Sequence, residues 1–311
     1  MRGTVDWTFD GTWPYEPRWF HSGDGRMHYV DVGPRDGRPI VLIHGNPTWG
    51  YLYREFIPAL VAGGNRAIVP DHLGFGRSDK PPGADLYRIP RHARRLEALL
   101  ESLDLRGAVV VPHDWGGPIG LFWATRHPGR IDGLFIVNTL AHGFRNTVLP
   151  PGRKTLPLPQ PLHLFRTPVV GEVLVQGLNA FPRLMLALGI ENRERITQSV
   201  RRAYTEVHSG WSERLAMLVC PREIPVRAGG PVDQMNTETE GLLKGHFRST
   251  PVQIVWGMKD RVLLPTYIDS HWLDTFPDAE VTRVNEAGHF VQEDAQERIV
   301  PALSRFVSQL S

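Results

Sequence analysis

The chain has little cysteine, no long apolar run and no surplus of charge of either sign. One cysteine in 311 residues, Cys220, excludes an internal disulfide, and no Cys-x-x-Cys or Cys/His cluster suggests a metal site. No run of five basic residues occurs, and Lys+Arg 35 against Asp+Glu 33 leaves a formal net charge of +2. So balanced a surface argues against nucleic acid or a membrane surface as partner. No apolar stretch approaches the ~18 residues needed to span a bilayer. The opening MRGTVDWTFDGTWPYEP has no continuous apolar core of the kind a secretory signal needs. The expectation is a soluble, cytoplasmic protein. The chain also lacks Gly-x-Ser-x-Gly, the turn on which serine hydrolases display their nucleophile; GRSDK (76–80) is missing the second glycine.

What is present is ordinary globular material, 41% hydrophobic and 22% charged, too apolar for a disordered chain. Short apolar runs at 27–33, 40–45, 66–71, 108–114 and 131–139 alternate with helical patterns at about 88–104 and 117–128. Strands separated by helices of this length predict crossover connections and a mostly parallel central sheet covered on both faces, an α/β fold. Arg91, Arg94 and Arg95 are spaced for the solvated outer face of the 88–104 helix. Between 140 and 232 the rhythm breaks. That stretch is rich in proline and carries helical patterns at 172–188 and 191–206 but no convincing strand. Beyond it, 241–247 reads as helix, 252–257 as strand, 267–277 as helix, 280–285 as strand, and a last helix starts near Phe290. The expected organisation is a core of 1–139 and 233–311 with a helical cap, 140–232, inserted over the sheet's carboxyl edge.

Ligands of open α/β sheets bind at the carboxyl ends of the strands, so residues there carry the candidate chemistry. They are His44-Gly45-Asn46-Pro47, Asp71, Asp114-Trp115, Asn138, Asp260 and His289. Asp114, Asp260 and His289 follow the nucleophile–acid–histidine order of the α/β-hydrolase fold, with a carboxylate in the serine's place. In VVVPHDWGGPIG (109–120), Asp114 stands where a strand turns sharply into a helix, and Gly116 supplies the small residue such an elbow needs. Pro112 departs from the small residue usual two positions earlier; at a strand's last position its missing N–H is tolerable. Asp114 could instead cap the following helix, Asp260 could be a turn residue beside Arg261, and Trp115 could be a core aromatic.

Six stretches, HGNPTWGYLYR (44–54), DHLGFGRSDKP (71–81), HDWGGPIG (113–120), CPREIP (220–225), WGMKDRVLLP (256–265) and NEAGHFVQED (285–294), together resemble a haloalkane dehalogenase. The likeness runs from about Phe20 to the end, inserted segment included, and is closest to the subgroup with an Asp-His-Asp triad and an Asn-Trp pair of halide donors. It implies that Asp114 displaces halide from a small apolar haloalkane and is left as an alkyl ester. Trp115 Nε1–H and the Asn46 side-chain amide would then be neutral donors to the departing halide. His289, held by Asp260, would activate the water that cleaves the ester. The backbone N–H groups of Trp115 and Asn46 would hold the oxyanion. No metal or organic cofactor enters that scheme. Relatives also carry a cis proline after the position of Asn46.

Phe144, Leu162, Phe165, Trp211 and Cys220 are candidate pocket residues, and Trp211 is an alternative second halide donor. A homo-oligomer is compatible with the sequence. An epoxide hydrolase would use the same elbow and ester, but its alkoxide leaving group needs proton donors, usually two tyrosines in the cap; between 140 and 232 there is only Tyr204. A non-catalytic binding protein on the same fold would have lost at least one of the five functional residues.

Overall fold

The protein is described by a computed structural model covering residues 5–144 and 160–310. Eight strands form one sheet: β1 (Arg18–His21), β2 (Arg26–Val32), β3 (Pro39–Ile43), β4 (Arg66–Pro70), β5 (Ala108–Asp114), β6 (Ile131–Thr139), β7 (Val252–Gly257) and β8 (Glu280–Val284). Their spatial order is β1-β2-β4-β3-β5-β6-β7-β8. β2 runs antiparallel to β1 and β4, and all pairs from β4 to β8 are parallel. The uninterrupted apolar runs explain the layering. β3 and β4 are buried at every position and β5 at all but its last, which demands cover on both faces. The expected parallel sheet is present, with an antiparallel edge strand, β1, that the sequence pattern did not reveal.

The helices are α1 (Phe56–Ala62), α2 (Ile89–Ser102), α3 (Gly116–Arg126), α4 (Gln160–Arg166), α5 (Ala180–Gly189), α6 (Gln198–Thr205), α7 (Leu215–Glu223), α8 (Pro231–His246), α9 (Leu273–Thr275), α10 (Val291–Asp294) and α11 (Gln296–Ser308). α2, α3 and α8 pack together, and α1 packs on α11. α2 shows why burial overrides simple helical spacing. Arg91 and Arg94 are exposed as expected, but Arg95 is buried, its Nε–H donating to Asp24 Oδ2 at 2.9 Å. Its guanidinium is therefore a structural tie and not part of a solvated face.

Between β6 and α8 the described residues hold helices and no strand. The helical patterns are shorter than the sequence suggested. The stretch 172–188 breaks into a wide π-helical turn, Glu172–Gly177, and α5, because Asn179 takes a left-handed backbone, φ +52°. The stretch 191–206 contributes α6 alone as α-helix, after a 3₁₀ turn at Arg193–Arg195. α8 begins at Pro231, well before the 241–247 pattern, and packs on α3, so residues 231 and 232 belong to the sheet's helical cover. The last helix is broken at Ala295 into α10 and α11.

The order of strands decides where the site lies. From β3 the chain crosses to β4 on one side, then returns to β5 on the other, so β3 and β5 flank the switch point where a crevice opens. The helical segment is bonded to this edge. Trp49 Nε1–H donates to the Ala203 carbonyl at 2.8 Å, and Asp294 Oδ1 accepts from the N–H groups of Glu191 and Asn192. A buried ion pair completes the seam. The Arg54 guanidinium meets Glu293 with two bonds of 2.6 and 2.7 Å, and the Tyr204 hydroxyl of α6 donates to the same carboxylate at 2.6 Å.

Side chains of Arg54 and Glu293 are only 6% and 2% exposed, so neither charge can find water if its partner is removed. Arg54→Met should therefore destabilise the protein by about 3–5 kcal/mol, the usual effect of stranding one member of a buried pair. Urea unfolding of wild type and variant measures it; a loss below about 1 kcal/mol would contradict the assignment.

Candidate active site

Asp114 occupies the turn between β5 and α3 with φ +51°, a left-handed backbone that is strained for a residue with a Cβ. The turn is possible because its surroundings have no side chains. A Cβ on Gly116 would lie 2.2 Å from the Ile43 carbonyl oxygen, and one on Gly45 would lie 2.1 Å from Asp114 Oδ1. Pro112 is not at the strand's last position but two residues inside it. It is tolerated because the β3 ladder ends at the Ile43–Pro112 pair, so the missing N–H falls at the final rung. Asp114 does not cap α3: the helix has no side-chain cap, and Asp114 Oδ1 accepts instead from the Asn46 N–H at 2.7 Å.

The other carboxylate oxygen, Asp114 Oδ2, lies 3.6 Å from His289 Nε2, an ion-pair contact longer than a hydrogen bond. His289 Nε2 is buried with no hydrogen-bond partner among the described residues, and His289 Nδ1 is bonded to Asp260 Oδ2 at 2.8 Å. Asp260 follows β7 and is held rigidly. Its Oδ1 accepts from the N–H groups of Val262 and Leu263, and its Oδ2 accepts from Asn138 Nδ2 at 2.8 Å. Thus Asp114, His289 and Asp260, far apart in sequence, form one line at the carboxyl edge. Asn138, at the end of β6, carries no charge and still takes part in holding the acid. Its amide in fact links β6 to Asp260, and Oδ1 of the same side chain accepts the Gly257 N–H. The signal was its place at a strand end. His113, to which the sequence pattern assigned no role, bonds through Nε2 to the His289 carbonyl at 2.9 Å.

Trp115 follows the elbow and is partly exposed, packed against the core. The peptide Asn46–Pro47 is cis, as the resemblance implied. Asn46 is 4% exposed; its Nδ2 donates to the Met217 carbonyl of α7 at 3.4 Å. Of the candidate pocket residues, Phe144, Leu162, Phe165 and Cys220 are buried, and Phe165 packs on Phe181. Burial, and then the charge of Asp114, push the Cys220 thiol well above its usual range. Trp211 is 53% exposed and lies over Gly177, so it lines no buried pocket in this structure. It stands just before α7, on a turn whose carbonyl accepts from the buried Gln176 amide. Among the described residues no group of three or more His, Cys, Asp or Glu side chains could hold a metal ion, and no helix is long and apolar enough to cross a membrane.

The electrostatics follow from two carboxylates flanking one imidazole. Burial works against a charge on His289, but Asp260 and then Asp114 outweigh it and raise its pKa to about 10. Burial likewise works against the Asp114 carboxylate, yet His289 holds its pKa below the usual value. His113 is pushed down to about 4, first by burial and then by the charge of His289.

The chain matches the family described as alpha/beta hydrolase fold over residues 38–296. It is 33% identical to a cis-3-alkyl-4-alkyloxetan-2-one decarboxylase of Shewanella oneidensis, over 95% of this chain and 89% of that one. It is also 33% identical to haloalkane dehalogenase 2 of Mycobacterium tuberculosis, over 96% and 98% of the two chains. Among solved structures, haloalkane dehalogenase DbeA from Bradyrhizobium elkani superposes with a TM-score of 0.81 at 26% identity, covering 94% of this chain and 97% of that one. The tetrameric haloalkane dehalogenase DpaA from Paraglaciecola agarilytica superposes at 0.77 with 26% identity, covering 96% and 93%.

The raised pKa of His289 sets a direction for stability against pH. The imidazolium's contribution is fully present below the unfolded value, near 6.5, and is lost as pH rises toward about 10, because the folded protein keeps a proton that the unfolded chain releases. The stability of wild type relative to His289→Phe should therefore fall steadily between about pH 6.5 and 10. Urea unfolding of both proteins across that range tests it, and a flat or rising difference would contradict the charged pair.

Proposed function

The chain belongs to the α/β-hydrolase fold family, with haloalkane dehalogenases among its relatives, and we propose that it hydrolyses haloalkanes to alcohol, halide and proton through an ester on Asp114. One observation carries the reading: a carboxylate, which needs no deprotonation to attack, stands on the strained elbow with the imidazole of His289 3.6 Å from Oδ2. Oδ2 attacks the saturated carbon and the halide leaves with the bonding electrons. The site already carries two carboxylates against one imidazolium, so the halide is received by neutral donors, Trp115 Nε1–H and Asn46 Nδ2–H. Oδ1, bonded to the Asn46 N–H, is the oxygen that becomes the oxyanion when water adds to the ester.

The charges give the two steps their order. In the free site His289 is held protonated by Asp260 and Asp114, which costs nothing because the first step requires no base. Esterification removes the charge of Asp114 and with it one of the two groups that hold the proton. The imidazole then releases its Nε2 proton to solvent, as the proton counted among the products, and can accept one from water, with Asp260 still fixing its Nδ1–H. In this reading the segment between β6 and α8 is a cap over a core made of the rest of the chain. Phe144, Leu162, Phe165 and Cys220 belong to the substrate pocket, the working compartment is the cytoplasm, and a homo-oligomer is compatible with the reading. Epoxide opening is disfavoured by Tyr204, whose hydroxyl is committed to Glu293.

A second reading rests on the relatives named as oxetanone decarboxylases, at 33% and 35% identity. Asp114 could displace the ring oxygen of a β-lactone as a tethered carboxylate. Loss of carbon dioxide would then form the alkene and expel Asp114, with no water consumed.

Halide release from 1-bromobutane, 1,2-dibromoethane and 1-iodohexane separates the readings, with a cis-dialkyl β-lactone and styrene oxide assayed in parallel. Wild type should release halide and Asp114→Ala should release none. His289→Phe should accumulate protein heavier by the alkyl group, detected by intact mass. Alkene from the lactone without halide release would replace the first reading with the second.

A further inference from the structure

Proline is strongly disfavoured within a helix, yet α7 carries Pro221 near its end, inside the CPREIP stretch. Pro221 has no N–H, so the carbonyl four residues earlier, that of Met217, has no residue-221 amide to accept from. The proline ring also crowds that carbonyl and tilts it off the helix axis. The freed oxygen is the one that accepts from Asn46 Nδ2, at 3.4 Å in a buried contact. Among the described residues it is the only hydrogen-bond partner of the Asn46 amide, whose Oδ1 is buried without one. A carbonyl oxygen only accepts. It therefore fixes which end of the amide faces α7, engages one hydrogen of Nδ2 and leaves the second for another acceptor.

We propose that Pro221 is a positioning residue: by withholding an N–H from the Met217 carbonyl, it makes α7 the support that orients Asn46 as donor to the leaving anion. The inference rests on the reading of Asn46 as a halide donor. It gives a mechanical use to the contact between the helical segment and the sheet edge. It also explains why a helix buried from Ala216 to Pro221 tolerates a break in its bonding.

Pro221→Ala supplies the missing N–H, which should capture the Met217 carbonyl within α7. Because alanine favours helix, the melting temperature should hold or rise, while kcat for halide release falls about tenfold with KM little changed. In an Asn46→Ala background, Pro221→Ala should have no further effect on kcat, since the group it orients is gone. A second readout is independent of turnover. In protein labelled with ¹⁵N-asparagine, the side-chain amide signal that disappears in Asn46→Ala should shift and exchange faster in Pro221→Ala. An equal loss of kcat in both backgrounds, or an unmoved Asn46 signal, would overturn the proposal. If wild type released no halide at all, the functional reading would fail, and the amide signal would still decide the role of Pro221.

Discussion

One buried line of charge organises this molecule: the imidazole of His289 between the carboxylates of Asp260, at 2.8 Å, and Asp114, at 3.6 Å. Each of the three is costly to bury alone, and each is tolerable because of its neighbour. Asp260 is further satisfied by two backbone N–H groups and the Asn138 amide, so it is the fixed end of the line. Asp114, the reactive end in the proposed reaction, has one oxygen bonded to a backbone amide and the other facing the ring. A chemical step that neutralises the reactive end must change the proton affinity of the middle group. In the proposed reaction that coupling gives a nucleophile for one half-reaction and a base for the other from the same three side chains.

The sheet exists to bring those groups together. β3 and β5 flank the switch point of the strand order and supply Asn46 and Asp114, while the loops after β7 and β8 supply Asp260 and His289. The helical segment is bonded to this edge at several points, through Trp49 and Ala203, Asp294 and the 191–192 backbone, and Glu293 and Tyr204. Two of those points fall within five residues of His289 along the chain. The helical segment and the loop of His289 therefore share their supports.

Much of this was legible because short-range chemistry wrote it. Uninterrupted apolar runs gave β3, β4 and β5, and the glycines around Asp114 marked a backbone that must be crowded. What was not legible depended on long-range packing. β1 is only four residues long and mostly exposed, so no pattern betrayed it. Arg95 has the spacing of a surface residue and is buried by a partner 71 positions away, Asp24. Trp211 is an aromatic in the right stretch of sequence, yet the fold leaves it half exposed. Asn138 stood at a strand end, but its bond to Asp260 spans 122 positions, a distance no local rule covers.

The claim on which the account turns is that Asp114 itself becomes bonded to the substrate carbon. A single turnover in H₂¹⁸O, with protein in excess over 1-iodohexane, tests it directly by mass analysis of the Asp114 peptide and of the alcohol. The account predicts that ¹⁸O enters the Asp114 carboxylate and that the first alcohol carries the oxygen Asp114 gave up. Alcohol labelled with ¹⁸O, beside an unlabelled Asp114 peptide, would mean that water attacks the carbon and that no ester forms.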